Sequence, residues 1–106
     1  MKNQINSIQS ISVVAKEWFD KVNGNSYFSF HLTITLKDGQ IIERSVPMQY
    51  GYGDSYLWEA AKELGILFEC EQSFNISRFC RENNITCFTT KHEKCLQRDV
   101  KAWGKN

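Results

Sequence analysis

Polar and apolar residues alternate most regularly between Tyr27 and Leu36. Phe28, Phe30, Leu32, Ile34 and Leu36 take every second position, and Tyr27, Ser29, His31, Thr33 and Thr35 fill the places between. A period of two predicts a strand with one buried face. Upstream, Ile11–Phe19 is rich in β-branched and aromatic residues with imperfect alternation, and Asn23-Gly24 behind it has the composition of a type I′ hairpin turn. Downstream, Lys37-Asp38-Gly39-Gln40 predicts a second turn, and Ile41–Met48 a third strand in which Pro47 removes a ladder donor near the end. The expected unit is a three-stranded antiparallel meander.

The pattern then changes period. After Gly51 and Gly53, Asp54 is placed to cap a helix in which Leu57, Ala60, Ala61, Leu64 and Leu67 recur at three- and four-residue spacing. Asn75 is placed to cap a shorter helix with Ile76, Phe79 and Cys80 inward, stopping at Asn83-Asn84, residues that tolerate left-handed backbone. Ile85–Thr90 reads as a short strand. Glu93–Trp103 puts Leu96, Val100 and Trp103 on one helical face, with lysines toward the end that the helix dipole favours. The expectation is a single α+β domain spanning residues 1–106. Its antiparallel sheet, three meander strands and a short later one, is packed on one face by about three helices.

Composition supports a packed core but no function. At 106 residues the chain is too short for two self-sufficient cores, and a net charge of +1 gives no chain-wide field to recruit a polyanion. The charge is unevenly placed. Residues 1–74 carry six Lys or Arg against nine Asp or Glu, and residues 75–106 carry seven against three. The basic part, with Arg78, Arg81, Lys91, Lys94, Arg98 and Lys101, offers phosphate contacts to a nucleic acid, and a terminal helix with a solvated lysine face accounts for the same residues. The opening residues lack the apolar run of a signal peptide, and no stretch approaches the ~18 apolar residues of a membrane span. A soluble protein without a membrane partner is expected.

Four cysteines, Cys70, Cys80, Cys87 and Cys95, fall in the last third. With His92, the last three form a possible zinc set, because thiolates and imidazole are zinc's preferred ligands. Only His92 and Cys95 have the close pairing that orients two ligands on one knuckle, so the expectation is reduced, metal-free thiols acting as small packing residues. A nucleophile, a base and an acid can be named in Ser55, His31 or His92, and Asp54 or Asp20. The chain nevertheless lacks G-x-S-x-G, H-E-x-x-H and G-x-x-x-x-G-K-[ST], the common devices for activating serine, zinc-bound water or a nucleotide phosphate. No catalytic residue and no cofactor is therefore assigned.

Aromatic residues cluster around turns. Trp18, Phe19 and Tyr27 flank Asn23-Gly24-Asn25, and Tyr50, Tyr52, Tyr56 and Trp58 surround Gly51 and Gly53. Tyr and Trp combine large rigid contact area with a polar tip, and interface centres are enriched in them. Trp18, Asn23, Asn25, Tyr27, Tyr50, Tyr52, Asp54, Tyr56 and Trp58 are accordingly the candidate partner-binding residues. The glycines between the tyrosines admit close backbone approach to a partner, to a ligand, or to the packed first hairpin.

Two strings, Trp18-Phe19-Asp20-Lys21-Val22-Asn23-Gly24-Asn25-Ser26-Tyr27 and Gln49-Tyr50-Gly51-Tyr52-Gly53-Asp54-Ser55-Tyr56, carry a resemblance. The chain resembles small accessory proteins of tailed phages and mobile elements over roughly its first two-thirds. The resemblance implies a compact protein acting in the host cytoplasm, of the anti-CRISPR or related anti-defence type, whose partner is a host defence protein or ribonucleoprotein. A second copy of the chain, in a homodimer, is a further candidate partner. The alternatives are a nucleic-acid-binding phage accessory protein and a sponge for a small nucleotide signal, with aromatic faces stacking a base.

Overall fold

The computed structural model describes residues 3–69 and 75–102. Strands β1 (Asn3–Gln4), β2 (Ile8–Asp20), β3 (Asn25–Leu36) and β4 (Ile41–Tyr50) are followed by helix α1 (Ser55–Leu67) and strand β5 (Phe68–Glu69). Helix α2 (Ile76–Glu82), strand β6 (Thr86–His92) and helix α3 (Gln97–Lys101) complete the order. The fold is α+β. β2, β3 and β4 form the expected antiparallel meander, but β6 joins the free side of β2 in parallel. The sheet is thus mixed, in the order β4-β3-β2-β6, and β1 and β5 make a separate parallel pair. Direction follows from connection length: hairpin loops reverse the chain, whereas the long path through α1 and α2 returns β6 in the sense of β2.

The core face of the sheet is built from the predicted alternation. Phe28, Phe30, Leu32, Ile34 and Leu36 of β3 are buried beside Ile8, Ile11, Val13 and Ala15 of β2. α1 covers this face with Tyr56, Leu57, Ala60, Ala61 and Leu64, continuing past Gly65 to Leu67. α2 adds Ile76, Phe79 and Cys80. Each of the Val, Leu, Ile and Phe side chains among these contributes roughly 1.5–3 kcal/mol on full burial, the alanines less. The Asn75 carboxamide oxygen accepts from the amides of Ser77 and Arg78, capping α2 as its position predicts, and Asn84 adopts φ +57° just beyond the helix end.

Three local features differ from the sequence reading. The first hairpin closes with four loop residues instead of a two-residue I′ turn. The Asp20 carboxylate accepts from the amides of Val22 and Asn23 and from the Asn23 side chain (3.0, 3.3 and 2.8 Å), and only Gly24 takes positive φ. Asp54 precedes α1, but its side chain makes no capping bond; the Ser55 hydroxyl donates instead to the Tyr52 carbonyl at 2.8 Å. The terminal helix spans five residues only. Lys94 takes φ +62° and the Cys95 amide donates to the Glu17 carbonyl at 2.9 Å, so the segment before α3 bends at Lys94 and is tied to β2 instead of continuing as helix. Trp103 lies outside the described residues.

α3 also lies on the opposite side of the sheet from α1 and α2. It rests against β2, β3 and β4, and its Val100 is fully buried yet stands apart from the main core cluster. Beneath it, Ser29 is fully buried, although its neighbours Phe28 and Phe30 face the core on the other side. One face therefore carries two helices and the other a short cross-brace. No helix among the described residues is long and apolar enough to cross a membrane.

Candidate functional site

The candidate residues converge on one end of the molecule because strand register brings them there. Trp18 pairs with Tyr27 across β2–β3, and Tyr27 with Tyr50 across β3–β4. The Trp18 and Tyr27 rings stack at 5.6 Å with 25° between planes, and Tyr27 meets Tyr50 edge-on at 5.9 Å. Such pairs contribute about 0.5–1.5 kcal/mol beyond area burial. Trp18 and Tyr27 are half-buried within this row, while Tyr50 at the sheet edge is 63% exposed.

From Tyr50 the chain turns into α1 through a glycine-dependent approach. The Gly51 amide donates to the Ser26 carbonyl at 3.0 Å, and a Cβ on Gly51 would come within 2.6 Å of Phe28 Cε1. The close approach is thus to the first hairpin, the third of the options the sequence leaves open. Beyond it, Tyr52, Asp54, Ser55 and Trp58 line an open depression of about 310 Å3. Tyr52 is 68% and Trp58 59% exposed. Phe19 and Val22 of the adjacent hairpin are exposed as well, so large apolar side chains from three segments share this end.

Two of the nine candidates have other duties. Tyr56 is buried at 7% exposure, in the core with Leu57, because its place in the first turn of α1 points it at the sheet, and its ring serves the packing there. Asn23 spends its side-chain amide on Asp20, holding the hairpin loop. That bond, helped by the amides of Asn23 and Val22, holds the Asp20 carboxyl below its ordinary value against a small opposing effect of desolvation. Asn25 begins β3 as a half-buried residue paired with Asp20.

The remaining constellations do not assemble as named. His31 bonds Ser45 Oγ through Nδ1 at 2.7 Å and Glu43 Oε1 through Nε2 at 3.2 Å, a cross-strand row that the sequence hides because it depends on the β3–β4 register. Ser55 is bonded to Tyr52 instead. In the zinc set, Cys87 and His92 are five residues apart on one strand and so face opposite sides of the sheet, and the Cys95 thiol donates to the His92 carbonyl at 3.2 Å. Among the described residues no three His, Cys, Asp or Glu side chains are grouped to hold a metal. Cys70 lies outside them.

The basic set also divides. Lys91 is largely enclosed: its ammonium bonds the Gly53 carbonyl at 3.1 Å, pairs with Glu93 and Glu17 at 3.5 and 3.9 Å, and lies 6.0 Å from the Tyr56 ring centre. It ties β6 to the loop before α1 and is withdrawn from phosphate binding. Arg78 pairs with Glu82. Arg81, Lys94, Arg98 and Lys101 are exposed. No protein-family model matches the chain, and no curated protein and no solved structure matches it either.

Proposed function

We propose that this protein is a non-catalytic inhibitor that binds a host defence protein or ribonucleoprotein, in the manner of an anti-CRISPR, through the end formed by Tyr50, Tyr52, Asp54 and Trp58. The observation that carries this reading is that Phe19, Val22, Tyr50, Tyr52 and Trp58 are exposed at the end to which strand register and the turn into α1 bring them, with Tyr52 and Trp58 lining a depression beside a hydroxyl and a carboxylate. Exposed apolar side chains cluster where a surface is meant to be covered, and Tyr and Trp are the residues most enriched among binding hot spots. The inhibitory setting rests on the phage-like strings, which supply two of the segments that build this end.

The same geometry speaks against the nucleotide sponge. The carboxylate of Asp54 shares the mouth with Tyr52 and Trp58, where it would repel a phosphate. A nucleic-acid reading draws on Arg81, Lys94, Arg98 and Lys101, exposed cations from α2 to α3. Their binding would weaken steeply with salt through counterion release.

The test is protection of a phage from CRISPR interference in cells expressing the protein. Tyr52→Ala and Trp58→Ala should each weaken target binding about 30-fold or more, the effect of losing a ~2 kcal/mol hot spot, at unchanged thermal stability. Full protection by the doubly substituted protein removes this end from the function, and binding that nuclease abolishes favours the nucleic-acid reading.

A further inference from the structure

We infer that Cys80 and Cys87 form a redox-active dithiol, with Cys87 the nucleophile toward small-molecule disulfides and Cys80 the resolving thiol that closes an internal bridge. The two belong to different elements, α2 and β6, that pack directly on each other. Cys80 lies in the core, and Cys87, level with the buried Ile11 on the core-facing side of β6, packs against the same cluster. The connection between them is short and fixed: the Ile85 amide donates to the Cys80 carbonyl at 2.8 Å, and Asn84 makes the turn with positive φ. Cys80 is 1% exposed, whereas Cys87 is partly open to solvent and packs at the margin of the core.

The electrostatics divide the roles between the two. The hydrogen bond from Cys80 holds the Cys87 thiol down to about 7, with help from Ser77 and against the opposing effect of burial. Cys80 is driven well above the thiol range, first by the same bond to Cys87, then by burial and by the neighbouring negative charge. The accessible sulfur is the one that ionises near neutrality, and the enclosed one waits as a thiol.

With a disulfide such as oxidised glutathione, the Cys87 thiolate attacks one sulfur, the glutathione S–S bond breaks, and one glutathione leaves with the electron pair. In the mixed disulfide Cys87 no longer carries charge, so the two effects that hold the Cys80 proton in place through Cys87 vanish. Cys80 then attacks the Cys87 sulfur and its proton passes to the departing second glutathione. Two protein thiols are oxidised, and one disulfide is reduced to two thiols. The product is a bridge pinning α2 to β6.

Incubation of the full chain with excess oxidised glutathione should remove two hydrogens from the intact mass and give a peptide linked through Cys80 and Cys87. Cys80→Ser should stop at one glutathione adduct on Cys87, its hydroxyl still able to donate to the thiolate, and Cys87→Ser should leave Cys80 unmodified. Alkylation of Cys87 in the native protein should reach half its maximal rate near pH 7, against about 8.5 after unfolding in urea. This last measurement needs no variant to fold. A native Cys87 that alkylates with the pH profile of the unfolded chain, or an oxidised product linked through Cys95 instead, overturns the inference.

Discussion

Replacing Gly51 by alanine should destabilise the protein far more than replacing Gly53, two residues away. At Gly51 the added Cβ falls 2.6 Å from Phe28 Cε1 and 3.1 Å from Ser55 Cβ, and the Phe28 ring is only 2% exposed in the core. The ring is stacked on Phe30 with centroids 6.3 Å apart, so it cannot turn aside without disturbing a second buried side chain. Overpacking of this kind costs roughly 1–3 kcal/mol. The backbone at φ +156° adds about 1 kcal/mol more, for a total of about 2–4 kcal/mol. For a chain of this size that lowers the melting midpoint by roughly 10–20 °C. At Gly53 a Cβ meets nothing within 4 Å and φ is +62°, which leaves only the left-handed penalty of about 1–2 kcal/mol. Both variants stiffen the unfolded chain alike and carry backbone penalties of similar size, so any excess loss at Gly51 reports the contact with Phe28. Urea unfolding followed by tryptophan fluorescence gives both midpoints at constant slope. Equal midpoints for Gly51→Ala and Gly53→Ala would refute the close approach on which the turn from β4 into α1 depends.

Two further substitutions probe the hairpin loop and the cross-brace. Because the folded Asp20 carboxyl is depressed, its contribution is present above the ordinary carboxyl range and lost as pH falls through the folded value. The stability gap between the native chain and Asp20→Ala should therefore be full at pH 7 and close below about pH 4, and a gap that is constant across that range shows that the charge is not what holds the loop. Ser29→Ala should raise stability by about 1 kcal/mol, since the buried Ser29 hydroxyl has no hydrogen-bond partner among the described residues and its removal relieves the desolvation of an unpaired group. A loss of similar size in thermal unfolding would mean that the hydroxyl is bonded.

What the sequence discloses about this fold tracks how local each determinant is. β3 is legible because Phe28 to Leu36 repeat with period two under one uninterrupted core. Asn75 is legible as a cap because its carboxamide acts within three residues. β2 is read short at its start: it begins at Ile8, where a register shift between Ile8 and Ser10 interrupts the alternation that marks a strand. The direction of β6 and the side on which α3 lies are set by contacts far along the chain, and Val100 looks the same on either face of a sheet. At the candidate site, the turn-linked aromatics are visible as a cluster, but which are exposed is not. Tyr52 and Tyr56 are equivalent as letters, and only the rotation of α1 buries one and presents the other.

The parallel seam between β2 and β6 gives the protein an order of events at its birth. Ser10 pairs with Thr86, partners whose numbers differ by 76, whereas β2 reaches β3 across one hairpin loop. At a translation rate of ~5–20 residues per second, the β2–β4 meander, complete at Tyr50, waits roughly 2–8 s before the strand that closes its inner edge, ending at His92, has been made. During that interval the β2 edge offers unpaired amides and carbonyls over the length that β6 will later cover, and the apolar face of Ile11, Val13 and Ala15 lacks α2. Non-local closure of this kind slows folding relative to a local meander of the same stability. Yield in overexpressing cells is then governed by how long a nascent chain survives with one edge open, and slower synthesis lengthens that exposure.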